Sequence, residues 1–255
     1  ITVLAGQGDG AVDGDFLVSA GRMTRSHAQI GHGGYDSDGG ILGAANSAEI
    51  YVAARGDISF ISAPGGETNA VKYNVDFANG YYNSQTNGAW TINDRWVMLG
   101  HGGRSSTVVM PERQDITVIS GTGDMDNADG DKDTGGILFV AGDSNQSFAQ
   151  LGHGGYQSSA DNEAGFTGDI VIRAHGGGIR FDASIDGAQA AAAVTDGSLD
   201  GETTTRMIRG VGRGQNAYAQ LGHGGYQSRG VHTGMIDIEA WGGVEFLAAP
   251  ASNRT

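Results

Sequence analysis

Residues Phe148–Ser158 read FAQLGHGGYQS, and Tyr218–Ser228 read YAQLGHGGYQS. Two looser copies precede them, HAQIGHGGYDS at His27–Ser37 and WVMLGHGGRSS at Trp96–Ser106. A catalytic centre is needed once, so a phrase written four times in one chain reads first as building material. What surrounds it supports that reading. In the third copy GILFVAG (Gly136–Gly142) leads into the phrase, and GDIVIRA (Gly168–Ala174) and GIRFDAS (Gly178–Ser184) follow it. In GDIVIRA, Ile170, Ile172 and Ala174 alternate with Val171 and Arg173. In GIRFDAS, Ile179, Phe181 and Ala183 alternate with Arg180 and Asp182. A period of two with one apolar face is the mark of a half-buried strand.

The same order recurs. The fourth copy carries GMIDIEA (Gly234–Ala240) and GGVEFLA (Gly242–Ala248). The first carries DFLVSAG (Asp15–Gly21), AEIYVAA (Ala48–Ala54) and GDISFIS (Gly56–Ser62). Gly21 to His32, Gly142 to His153 and Gly212 to His223 are equally spaced. The second copy is the most degenerate, with Arg104 in place of the tyrosine; Tyr73–Phe77 is its candidate leading strand. The histidines stand at 32, 101, 153 and 223, so the turns hold insertions of unequal length. Those insertions fall in Gly65–Gly88, Gly121–Gly135 and Ser184–Thr205. Long-period self-similarity with short strands predicts stacked units that share one core. The expected fold is all-β, a right-handed parallel β-helix (β-solenoid) with Gly-rich turns and polar loop insertions. It forms one segment of four degenerate repeats, about 14–65, 66–120, 135–184 and 204–250. A propeller would need regular blade spacing and two-residue hairpin turns, which are not the dominant connector here.

Composition sets the limits. Gly is 46 of 255 residues, far above the usual share of about 7%, which suits a thin body with many tight turns. The formal charge of −14 repels nucleic acid and anionic membranes. The chain has no cysteine, hence no disulfide or thiolate metal site. No apolar run is long enough to span a bilayer. The opening ITVLAG resembles the interior DITVIS at Asp115–Ser120 and reads as a strand begun inside the repeat, as in a segment cut from a longer chain.

The stretch YAQLGHGGY followed by GMIDIEAWGGVEFLA is similar to the repeats of filamentous-haemagglutinin-like and autotransporter-like bacterial surface adhesins. The resemblance covers about Phe16–Pro250. It implies a secreted, right-handed β-helical shaft, extracellular or at the bacterial cell surface. Its role would be adhesion or surface architecture, and its partners itself or a continuing chain stacked end to end, or a host-cell or carbohydrate surface.

The candidate functional residues follow from the phrase. His32, His101, His153 and His223 could ligate a metal, but a metal needs several ligands converging on one point. Four histidines in different repeats lie at least about 10 Å apart if each repeat spans more than one coil. The structural reading makes them turn residues that hydrogen-bond a backbone group. Ala149, Leu151 and His153 share a face, which places the ring at a corner of the core. Gly33–Gly34, Gly102–Gly103, Gly154–Gly155 and Gly224–Gly225 serve corners where φ is positive or backbones crowd. Gln29, Gln150 and Gln220 either stack as amide ladders or face solvent; Met98 breaks their series. Asp124, Asp126, Asn127, Asp129, Asp131 and Asp133 are dense enough to suggest calcium, although Met125 spoils an EF-hand reading. No other cofactor is expected. Outward Asp182, Asp237 and Glu239 are the acids available to a polysaccharide-acting β-helix enzyme, the alternative to a structural role, as is a calcium-dependent adhesive module.

Overall fold

The computed structural model describes residues 1–6, 14–20, 25–40, 47–62, 95–121, 135–141, 146–160, 165–183 and 217–247. The expected leading strand at Tyr73–Phe77 and the whole Asp124–Asp133 acidic cluster lie outside them. None of the described residues is helical.

The chain winds. It passes through β1 (Thr2–Ala5), β2 (Phe16–Ser19), β3 (His27–Ile30) and β4 (Asp38–Gly40). It then returns above β1 with β5 (Ile50–Ala54), followed by β6 (Ile58–Ile61), β7 (Trp96–Leu99) and β8 (Thr107–Val109). The next circuit is β9 (Ile116–Ser120), β10 (Ile137–Val140), β11 (Phe148–Leu151) and β12 (Ser159–Ala160). The last described strands are β13 (Ile170–Ala174), β14 (Ile179–Asp182), β15 (Tyr218–Leu221), β16 (Ile236–Ala240) and β17 (Val244–Leu247). Strands at the same point of each circuit pair in parallel and form four sheets: β1-β5-β9-β13-β16, β2-β6-β10-β14-β17, β3-β7-β11-β15 and β4-β8-β12. Four all-parallel sheets stacked in register are the pattern of a β-solenoid.

Register explains why the alternating pattern repeats. Ile50, Ile116, Ile170 and Ile236 pair in one column, and Phe60, Phe139, Phe181 and Phe246 in another. The phenylalanine rings stack face to face with centroids 4.6, 4.9 and 5.2 Å apart. Apart from the exposed Ile236 and Phe246 of the last described coil, these inward residues join Val97, Leu99, Ala149 and Leu151 of the third sheet in one buried core. A fully buried phenylalanine removes enough apolar surface to contribute about 1.5–3 kcal/mol.

Two expectations are corrected. The strands read as leading and closing each repeat are one position in successive coils: β10, from GILFVAG, pairs with β14, from GIRFDAS. The leading strand of the second copy is therefore β6, in GDISFIS, which pairs with both β2 and β10. Each repeat is thus a single coil, and the expected spacing of about 10 Å between histidines gives way to direct stacking. The third sheet also departs from a one-faced pattern. Its outward Trp96 and Phe148 are as buried as its inward residues, because they form a second apolar layer with Met98, Tyr156 and Tyr218.

Candidate functional site

The four histidines form one column. Their ring centroids are 5.2, 4.9 and 5.0 Å apart and their planes lie within 4° of parallel. Alternation from Ala149 and Leu151 turns the His153 ring inward at the corner where the third sheet ends; His101 and His153 are fully buried. The rings of His101, His153 and His223 close the gap between coils. The backbone N–H of His32 donates to His101 Nδ1 at 3.0 Å, that of His101 to His153 Nδ1 at 2.9 Å, and that of His153 to His223 Nδ1 at 3.1 Å.

An Nδ1 that accepts an N–H carries no proton, so the neutral ring holds its proton on Nε2. That atom faces a carbonyl in each case: Ala48 O at 2.6 Å from His101, Gln114 O from His153, and Gly168 O at 2.9 Å from His223. Burial then acts on charge. It lowers the pKa of His101 to about 4 and depresses those of His153 and His223 in the same direction. For the two inner histidines the neighbouring rings add to that depression. Both nitrogens of His101, His153 and His223 are engaged, so a metal ion would have to break the column to find a lone pair.

The glutamines work across coils. Gln29 Nε2 donates to Gly100 O at 2.8 Å and Gly102 O at 3.3 Å, in the turn of the next coil. Gln150 Nε2 does the same to Gly224 O at 2.5 Å and Gly222 O at 3.4 Å. Neither the amide ladder nor simple exposure describes them: the side chain clamps backbone carbonyls, and Gln150 is fully buried. Met98, also buried, leaves the turn at Gly152–Gly154 without that clamp.

The first glycine of each Gly-His-Gly-Gly turn makes the stacking possible. A Cβ on Gly31 would land on Gly100 O, one on Gly100 on Gly152 O, and one on Gly152 on Gly222 O. All three have positive φ, between 138° and 150°. The structure also accounts for Arg104. Its guanidinium lies 5.3 Å from the Tyr35 ring centroid and 5.2 Å from that of Tyr156, and it donates to Gln146 Oε1 at 2.7 Å. A flat cation replaces the missing aromatic ring in a column that Tyr156 and Tyr226 continue.

The outward acids do not converge. Asp182, on the second sheet, is buried against Arg180. Asp237 and Glu239, on the first sheet, pair with Arg173. A further acidic series escaped the sequence reading. Asp15 Oδ1 accepts the N–H of Asp57, Asp57 Oδ1 that of Gly136, Asp115 Oδ1 that of Asp169, and Asp169 Oδ1 that of Met235. The recurring Gly-Asp-Ile and Gln-Asp-Ile before strands was the available signal. Among the described residues no group of three or more His, Asp or Glu side chains could hold a metal ion.

These features define a stack of parallel coils joined by axial side-chain columns, a β-solenoid type of architecture. No family model, curated protein or solved structure matches the chain.

Proposed function

We propose that this chain is a structural segment of an extracellular bacterial fibre, filament or adhesin shaft, coiled right-handed and propagating end to end. The hand follows from the rule that parallel strands joined by a crossover connect right-handedly. The observation that carries the reading is the axial histidine column. Three rings, two of them fully buried, spend both nitrogens on holding one coil to the next, which is chemistry devoted to stacking. The glutamine clamps and aspartate bonds run along the same axis. The charge of −14 would keep such fibres apart in solution, and the resemblance of the repeats to surface-adhesin shafts is what supports an extracellular setting.

Electron microscopy of the purified protein over a range of concentrations tests it. The expected result is filaments one coil-stack wide, with an axial diffraction spacing near 4.8 Å along their length. Monodisperse particles at every concentration, together with hydrolysis of an acidic polysaccharide, would overturn it in favour of an enzyme.

A further inference from the structure

The corner between the third and fourth sheets repeats its backbone but not its surface chemistry. Asp36, Ser105, Gln157 and Gln227 all have positive φ there, between 51° and 56°. A serine follows in every coil: Ser37, Ser106, Ser158 and Ser228. The next position pairs in register as Asp38, Thr107, Ser159 and Arg229. The surface residues of this corner therefore change from two acids in the first coil to an amide and a guanidinium in the fourth. Between the third and fourth coils they bound a cleft of about 510 Å³, lined by Gln157, Ser158, Ser159, Gln227, Ser228 and Arg229. Each of the two coils supplies three of these residues, so the cleft lies on the flank of the stack. We propose that it binds an acidic saccharide, a chain of uronic-acid units with one carboxylate seated on Arg229. The inference goes beyond the shaft reading and does not depend on it.

The lining selects the ligand. The volume is that of a small-ligand site, yet none of the six side chains is apolar, so a hydrophobic ligand would gain little from entering. Gln157 Nε2 donates to Gln227 Oε1 at 2.8 Å. That bond orients both amides and leaves the Gln157 carbonyl as an acceptor and the Gln227 amide group as a donor. Ser159 Oγ donates to Thr107 Oγ1 at 3.2 Å and keeps its lone pairs. Donors and acceptors set side by side on a fixed backbone suit the neighbouring hydroxyls of a sugar, each of which both gives and takes a hydrogen bond.

Charge narrows the class further. Arg229 is the one titratable side chain among the six, so the cleft is locally positive on a chain of formal charge −14. A guanidinium takes a carboxylate through two parallel hydrogen bonds. Asp38, the acid in the same column, lies three coils away, about 14 Å along the axis. No carboxyl group lines the cleft, so the pair of acids that a glycosidase uses is not there. The site holds a sugar without cutting it.

Calorimetric titration of the 255-residue protein tests this, with a tetrameric oligogalacturonate, its methyl ester and acetate as titrants. Saturable binding of the acid is expected. It is at least tenfold weaker for the ester, which keeps the hydroxyls and loses the charge, and for acetate, which keeps the charge and loses the hydroxyls. Arg229→Gln and Gln157→Ala, both at exposed positions, each weaken binding of the acid at least tenfold and leave the Tm unchanged. Arg113→Gln, at an arginine paired with Glu49 and Asp115, leaves binding unchanged, and the oligomer is recovered uncleaved. Absence of binding, equal binding of the ester or of acetate, an equal loss in Arg113→Gln, or cleavage of the oligomer overturns the proposal. Filaments that form without binding the oligomer would sink this inference alone and leave the shaft reading standing.

Discussion

Lowering the pH from 7 to 5 destabilises this fold, and the histidine column sets the size of the effect. His101 has a pKa of about 4 in the folded chain against 6.5 when exposed, and burial is the main cause. The unfolded chain therefore takes up a proton first. The contribution of His101 is fully present above pH 6.5 and is lost as the pH falls toward 4. At about 1.4 kcal/mol per pKa unit the full swing is about 3 kcal/mol, of which about 2 is lost by pH 5. His153 is depressed in the same direction by burial, and His223 more modestly from a less buried position, so the column as a whole loses more than His101 alone. Chemical denaturation at pH 7, 6 and 5 measures the loss. The variant His101→Asn isolates it, because an amide oxygen can take the place of Nδ1 and accept the His32 N–H without titrating. The variant is less stable at pH 7, but its stability falls with pH by about 1.4 kcal/mol per unit less than that of the parent. Nitrogen chemical shifts supply a second readout: His101 and His153 stay neutral, with the proton on Nε2, at pH 5.5. A stability independent of pH, or an identical pH slope in His101→Asn, would refute the claim that folding holds these rings uncharged.

Three further outcomes are expected. Met98→Gln supplies the clamp missing between the second and third coils and stabilises by about 1 kcal/mol, a rise in Tm of about 2–4 °C for a chain of this length; an unchanged or lower Tm would contradict the role given to Gln29 and Gln150. Gly152→Ala combines positive φ with a collision at Gly222 O and costs about 3 kcal/mol or more, measured by thermal melting, whereas Gly34→Ala costs clearly less. Arg104→Ala loses two cation–π contacts and costs about 1–3 kcal/mol, while Arg104→Tyr stays within about 1 kcal/mol of the parent, since tyrosine occupies that column in the other coils.

What the sequence made legible was local, and what it hid was long-range. Alternation in FAQL places Ala149 and Leu151 inward and carries His153 to the core corner without knowledge of any partner strand. The need for glycine after the third-sheet strand is legible for the same reason. Which strand lies above which is a property of register between residues 42 to 79 positions apart, as Ile137 from Ile179 and Ile58 from Ile137 are, and no local pattern records it. That is why GILFVAG and GIRFDAS read as two parts of one repeat although β10 and β14 pair with each other. It is also why the histidines were expected to stand apart. Gln150 shows the limit clearly. Its side chain faces outward by parity, like any solvent-exposed residue, yet it is buried because the turn of the next coil comes down onto it. The substitutions at Met98 and Arg104 read as decay of the phrase. Met98 does leave a turn unclamped, but Arg104 conserves the column by other chemistry.

The polarity of the axial bonds bears on how such a stack behaves under load. The histidine N–H, the glutamine amide and the aspartate carboxylate of one coil all reach toward the coil that follows it in sequence. Each coil therefore carries polar groups that its successor satisfies, buried ones in the interior coils with His101, Gln150 and His153, and a buried unpaired donor costs about 1–3 kcal/mol. A coil is poorly stable alone and each addition completes the one before, so the energetics are those of a one-dimensional chain of nearest-neighbour couplings. Removing an interior coil leaves unmatched groups on both sides of the gap, whereas loss of a terminal coil exposes only one set. Fraying from the ends is then the cheapest opening of such a stack.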